Sequence, residues 1–171
     1  EEKIISILTG PPADKADDYK MVEAFMEHDG IKIVCGGSTS HMVARILNKR
    51  LVPVDDRLEP EIPPTSKIEG IDLVTEGVLT LHKAVDLLER YADNDVSDDF
   101  FLELSRDNGA TRIVIYFMED CSTVHLYIGK AVNLDYTDKA LPFEISARQS
   151  LTQRLIAVLE KMNKKVFVHY Y

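Results

Sequence analysis

The sequence predicts a single α/β domain of three layers, with a mixed, mostly parallel sheet and helices on both of its faces. Short apolar segments typical of buried strands alternate with longer segments in which apolar residues recur every three or four positions. Strand-helix-strand connections of this length favour parallel pairing with right-handed crossovers. With 171 residues, 45% of them hydrophobic, the chain can bury one core and does not require a second domain.

Apolar runs bounded by turn residues predict seven strands. They are residues 4–8, 31–35, 50–54, 71–75, 112–118, 123–129 and 165–171. Pro53 restricts the third of these segments to the edge of the sheet, because proline cannot donate a hydrogen bond to a neighbouring strand. The short link at residues 119–122 predicts an antiparallel hairpin between the two strands that flank it.

Helical periodicity predicts five helices between these strands. The first begins at Asp17 or Asp18 and ends before Gly30. The others cover residues 41–47, 78–91, 100–104 and 151–162.

The charge balance argues against polyanionic partners. With 20 basic and 29 acidic residues the net charge is -9, which repels a phosphate backbone and an anionic membrane surface, so we expect no nucleic-acid partner. No apolar run approaches the roughly 20 residues of a membrane-spanning helix, so we expect no membrane insertion. Cys35 and Cys121 lack a Cys-x-x-Cys spacing and are expected to be free thiols in a cytoplasmic protein.

Both ends of the sequence are abrupt. The chain begins with Glu1, and an apolar strand pattern follows almost at once, while the last strand pattern continues to Tyr171. We therefore expect that residues 1–171 are one domain taken from a longer protein.

The loop after the second predicted strand is the first candidate binding site. Its residues are two glycines and three hydroxyl residues that follow a cysteine: Cys35, Gly36, Gly37, Ser38, Thr39 and Ser40. The glycines let the main chain turn sharply and approach a ligand, and a hydroxyl can cap the amides of the helix that follows. A strand, a tight loop and a helix N-terminus together predict an anion site.

Two further loops precede helices in the same way. They supply Gly10 and Pro11 after the first strand, and Thr75, Glu76 and Gly77 after the fourth. Ligands usually bind where such loops share the carboxyl edge of an open parallel sheet. We therefore predict a crevice of three loops, with the alternative that these residues only form turns and helix caps.

Asp72 interrupts an otherwise apolar strand segment. Burying an unpaired carboxylate costs several kcal/mol, so Asp72 is expected to have a partner or to face a cleft. Strand alternation places it on the same side as Glu76, where the two carboxylates could approach one ligand or metal. The alternative is that Asp72 pairs with a neighbouring loop.

Gly36 to Ser40 also approaches the Gly-x-Ser-x-Gly elbow of serine hydrolases, but its final glycine is missing. No spacing identifies His82, His125 or His169 as the base of such an enzyme. A serine hydrolase is therefore poorly supported.

Several blocks of the sequence resemble a known family. The blocks are Thr9-Gly10-Pro11-Pro12, residues 18–26, Val34-Cys35-Gly36-Gly37-Ser38-Thr39, residues 68–81, residues 127–133 and Lys164-Lys165-Val166. In this order they resemble the region that follows the catalytic domain in bacterial phosphatases of the stage II sporulation protein E family. The resemblance covers the whole chain.

The resemblance implies a serine/threonine phosphatase in which aspartates of the catalytic domain hold two manganese or magnesium ions. Those aspartate motifs do not occur in this sequence, so the resemblance implies a non-catalytic regulatory or sensory domain that needs no cofactor of its own. Its expected partners are the catalytic domain of the same chain and a small anionic ligand. Two alternatives stay open: a small enzyme acting on a phosphorylated or carboxylated metabolite, and a structural module that forms a homodimer.

Overall fold

The structure is a computed structural model of the chain that describes residues 2–54, 62–119, 121–131 and 141–171, with the backbone alone at 141–147. Part of the loop predicted between the third and fourth strands, at residues 55–61, lies outside the described residues. So do Val132 and Asn133 of the family resemblance.

Seven strands form one sheet in the order β3-β4-β5-β2-β1-β6-β7. They are β1 (Ile4–Thr9), β2 (Ile31–Cys35), β3 (Val52–Pro53), β4 (Ser66–Lys67), β5 (Leu73–Thr75), β6 (Thr123–Ile128) and β7 (Lys165–Tyr170). The five strands from β5 to β7 in this order are parallel, whereas β3 and β4 are antiparallel. The predicted α/β class with a mixed, mostly parallel sheet is confirmed.

Helices cover both faces of the sheet. They are α1 (Asp18–Glu27), α2 (Gly37–Leu47), α3 (Gly77–Ala92), α4 (Asp98–Leu104), α5 (Gly109–Met118) and α6 (Leu141–Lys161). One buried cluster joins α1 and α2 to side chains such as Leu8 and Val34. The other joins α3 to α6 with side chains such as Ile7 and Ile33, which point to the opposite face. Among the described residues, no helix is long and apolar enough to span a membrane.

The strand predicted at residues 112–118 is wrong, because these residues belong to α5. Four residues at helical spacing are buried there, namely Ala110, Ile113, Val114 and Phe117. A capping box between Asn108 and Thr111 starts the helix. The predicted hairpin is therefore wrong too, and the antiparallel pairing comes instead from β3 and the short strand β4, which the sequence did not indicate.

The strand order places one topological switch point between β1 and β6. From β1 the chain passes to β2, then to the edge strands β3 and β4, and comes back inward to β5. It then crosses to the other side of β1 to form β6 and β7. Ligands of open α/β sheets usually bind at the carboxyl edge near such a point. The loops after β1, β2, β5 and β6 all lie at that edge.

Candidate functional site at the start of helix α2

Helix α2 begins at Gly37, four residues before the predicted start, and only Gly36 separates it from the end of β2. Gly36 occupies the N-cap position with φ +113, a conformation that side chains on L-residues rarely adopt. The three hydroxyls therefore lie inside the first turn of the helix, and none caps its amides. This corrects the predicted capping role of Ser38, Thr39 or Ser40.

Two of these hydroxyls stabilise the loop instead. Thr39 Oγ1 accepts a hydrogen bond of 2.9 Å from the amide of Gly10, and Ser40 Oγ donates one of 2.5 Å to the carbonyl of Gly36. Ser38 is exposed. The first hydrogen bond inside the helix runs from the amide of Ser40 to the carbonyl of Gly36.

The amides of Gly37, Ser38 and Thr39 consequently have no hydrogen-bond acceptor among the described residues. Amides at a helix N-terminus carry part of the positive end of the helix dipole, and their N–H groups readily donate hydrogen bonds to an anion. No side chain at the N-cap competes for them. The loop after β2 thus keeps the geometry of an anion site.

Hydrogen bonds connect the three loops of the predicted crevice. Gly10 contacts Thr39, and the amide of Gly36 donates to the carbonyl of Thr75 at 2.9 Å. Glu76 and Gly77 follow Thr75 directly and are exposed at the start of α3. The structure therefore brings the loops after β1, β2 and β5 to one edge of the sheet.

The loops after β1 and β6 are joined at the switch point. The amide of Gly129 donates to the carbonyl of Thr9 at 2.9 Å, and the amide of Ala131 donates to that of Pro11 at 3.0 Å. Gly10 and Gly129 pack backbone against backbone. The carbonyl of Pro11 is thus bonded, and proline has no N–H to offer a ligand. The free amides lie on the β2 side of β1, at the start of α2. The role of Gly129 was missed, although glycines directly after two strands are a signal of close backbone approach.

Asp72 does not belong to this edge. It is exposed just before β5, where its Oδ2 accepts a hydrogen bond of 2.8 Å from the amide of Lys32 and its own amide donates to the carbonyl of Lys32 at 3.0 Å. At about 3.3 Å per residue, the strand separates it from Glu76 by about 13 Å. Asp72 therefore has a partner, as the sequence predicted, but it is exposed and does not converge with Glu76 on one ligand.

Asp72 instead lines an open groove of about 730 Å³ near the end of α2, together with residues such as Lys49, Arg50 and Lys67. In the part of the chain that the structure describes, no group of three or more His, Cys, Asp or Glu side chains is placed to hold a metal ion.

Cys35 contributes its backbone to the loop, but its thiol points into the core. The residue is 2% exposed and packs in the cluster formed with α3 to α6. Burial raises the pKa of the Cys35 thiol to about 11, and the neighbouring Thr75 hydroxyl offsets part of that rise. The Thr75 hydroxyl bonds to no oxygen or nitrogen of the described residues. A thiol with this pKa is a poor nucleophile near neutral pH.

We expect both thiols to react slowly with Ellman's reagent in the folded protein at pH 8. Burial also raises the pKa of the Cys121 thiol, so neither forms much thiolate. The rate should be at least about tenfold lower than in urea-unfolded protein, where both thiols are exposed. Each of the variants Cys35→Ser and Cys121→Ser keeps one thiol, so its labelling rate belongs to the cysteine that remains. Rapid labelling of folded Cys121→Ser would contradict the burial of Cys35.

Comparison of the chain with protein-family models, with curated proteins and with solved structures gave no match. The resemblance to the stage II sporulation protein E family is therefore still an expectation from the sequence blocks alone.

Proposed function

We propose that this chain is a regulatory or ligand-sensing module of a serine/threonine phosphatase similar to stage II sporulation protein E, and that a small anion binds at the start of α2. The sequence blocks described above support the phosphatase context. The three free amides of Gly37, Ser38 and Thr39 support the anion. In this proposal the manganese or magnesium ions belong to the catalytic domain of the same protein. The present chain binds the anion and regulates that catalytic domain.

The free amides are the main support for the proposal, because hydrogen bonds to two neighbouring loops fix the backbone around them. Thr39 holds the loop after β1, and Gly36 is bonded to Thr75 at the end of β5. The amides are thus preorganised, and an anion replaces water without a large rearrangement. Because the chain carries a net charge of -9, we expect weak binding that depends on the amides rather than on long-range attraction.

The enzyme alternative depended on a close approach of Ser38, Asp72 and Glu76. The hydrogen bonds of Asp72 to Lys32 place it at the other end of β5. The observations therefore favour a binding module over an enzyme that uses this set of residues.

Replacing Gly37 with proline tests the anion site. Proline is tolerated at the first position of a helix, where its missing N–H removes one of the three free donors. Gly37→Ala is the matched control, because it keeps the N–H and a Cβ at this position meets nothing within 4 Å. We expect inorganic phosphate to shift the amide NMR signals of residues 37–39 in wild type and Gly37→Ala. Gly37→Pro should bind about tenfold more weakly, which corresponds to about 1.4 kcal/mol for one lost charge-assisted hydrogen bond.

The titration is run at constant ionic strength, with chloride as the reference anion. Equal phosphate affinity in Gly37→Pro and Gly37→Ala would contradict the site. So would phosphate-induced shifts confined to other residues.

A second experiment tests the regulatory role. The chain is fused to a manganese-loaded catalytic domain of the family, and turnover of a phosphoserine peptide is measured with and without phosphate. Phosphate also inhibits a phosphatase as its product, so the catalytic domain alone is the reference. We expect an additional phosphate effect in the fusion that Gly37→Pro removes and Gly37→Ala keeps. Identical responses of all three fusions and the isolated domain would contradict regulation through this site.

A further inference from the structure

A group of polar and aromatic side chains lies on the α1 face of the sheet, away from the start of α2. Sheet register places Ser6 directly between Lys32 of β2 and His125 of β6. The next strand places Phe167 beside His125, and His169 beside Tyr127. The sequence alone does not indicate this group, because only the register of four strands brings it together.

Three histidines form the centre of the group. The rings of His28 and His125 are stacked with centroids 4.1 Å apart and planes at 20°. His125 Nδ1 and His169 Nε2 are hydrogen bonded at 3.1 Å. His28 follows the last residue of α1, so its ring connects the corner between α1 and β2 to the β6–β7 half of the sheet.

Two buried polar side chains, Ser6 and Lys32, lie on the sheet next to these histidines. Ser6 is fully buried, and its hydroxyl has no hydrogen-bond partner among the described residues. Lys32 is 5% exposed, and its ammonium donates to the carbonyl of His28, as cations often do at a helix C-terminus. Additional positive charge on the buried ring of His125 would lie close to the Lys32 cation.

The titratable groups around the stack come from every neighbouring element. Burial lowers the pKa of His125, and nearby His28 and His169 lower it further, whereas Glu2 raises it. Burial and His28 also lower the pKa of His169. Burial lowers the pKa of Lys32 against the opposing effect of Asp72 and Asp29. The remaining neighbours are Tyr127, Tyr171 and Glu27.

We propose that His28, His125 and His169 form a proton-sensitive latch that holds the α1–β2 corner, residues 27–32, on the β6–β7 half of the sheet. The latch is closed when the rings are neutral, because the bond between His125 and His169 needs one ring nitrogen without a proton. When one of the two rings is already protonated, a proton on the other ring removes that acceptor. It also places two cations on rings that are stacked face to face or hydrogen bonded to each other.

The direction of the pH effect follows from the lowered pKa values of His125 and His169. The folded latch binds fewer protons than the open or unfolded chain, whose histidines have a pKa near 6.5. The latch therefore contributes its full stability above about pH 6.5. That stability is lost as the pH falls below 6.5 and through the lowered pKa values of the folded state.

Hydrogen exchange of the backbone amides at residues 27–32 tests the latch in the whole chain. After correction for intrinsic exchange rates, we expect these amides to open about tenfold more often at pH 5.0 than at pH 7.5, a change that corresponds to about 1.4 kcal/mol. His28→Phe keeps an aromatic ring at the stack but removes the imidazole that helps to lower the pKa of His125. We expect this variant to show a smaller pH dependence than wild type. His41→Gln, on the exposed surface of α2, is the control and should behave as wild type.

His169→Gln supplies a second test, at the hydrogen bond between His125 and His169. Its amide can still hydrogen bond to His125 without titrating, so we expect a reduced pH response with the fold retained. Thermal unfolding at pH 7.5 establishes that each variant is folded. The proposal is wrong if residues 27–32 open equally at the two pH values in wild type. It is also wrong if folded His28→Phe and His169→Gln keep the wild-type pH dependence.

Discussion

Gly129→Ala is expected to lower the free energy of unfolding by about 4 kcal/mol or more, the range of severe backbone clashes. A Cβ at this position would lie 2.1 Å from the carbonyl oxygens of both Gly10 and Pro11 and 2.4 Å from the Pro11 carbonyl carbon. These are backbone atoms, so no side-chain rotation relieves the overlap. The substitution must separate the loops after β1 and β6, which the Gly129–Thr9 and Ala131–Pro11 hydrogen bonds join.

Urea unfolding followed by circular dichroism measures this effect, and the soluble yield reports a variant that does not fold. Gly37→Ala is the matched control. Gly37 lies in the first turn of α2 with open space around it and without a positive φ, so alanine should stabilise the protein by about 0.5–1 kcal/mol. Wild-type stability of Gly129→Ala would contradict the close backbone packing at the switch point.

Ile113→Ala is expected to destabilise the protein by about 2–5 kcal/mol, whereas Ile115→Ala should change the stability by less than about 1 kcal/mol. Ile113 is fully buried on α5, in the cluster formed with α3 and the sheet. Ile115 lies two residues away on the same helix and is 36% exposed. The two substitutions are chemically identical, so the difference reports burial alone.

This pair also distinguishes the observed helix from the strand that the sequence predicted. In a strand, Ile113 and Ile115 would share one face, and their alanine variants would have similar costs. In α5 they lie on different faces. Equal destabilisation of the two variants in urea unfolding would contradict the helix, and a difference of at least about 1 kcal/mol would support it.

The α5 segment shows why local propensity was not sufficient. A run of β-branched and aromatic residues favours a strand when each residue is considered alone. The periodic burial from Ala110 to Phe117 and the capping box at Asn108 favour a helix, and both signals are present in the sequence. The helix prevails because its apolar side fits against α3 and the sheet, and tertiary packing outweighs a propensity difference of about 1 kcal/mol.

The candidate site was predictable where it depends on local backbone geometry. A glycine pair after a buried strand requires a tight turn, and Gly36 indeed adopts a positive φ directly before α2. Asp72 was not predictable in this way. Its position relative to Glu76 depends on where β5 begins and on its pairing with β2, which single-strand alternation does not indicate.

The sequence by itself determined the α/β class, the positions of the principal strands and the glycine loop that begins α2, because hydrophobic period and turn chemistry act over a few neighbouring residues. Only the tertiary structure decided the order of the strands, the helix at α5 and the closure of the switch point by Gly10 and Gly129. It alone brought His28, His125 and His169 together. These features depend on register and packing between segments far apart in the chain, where the free energy of burying one face decides between locally similar alternatives.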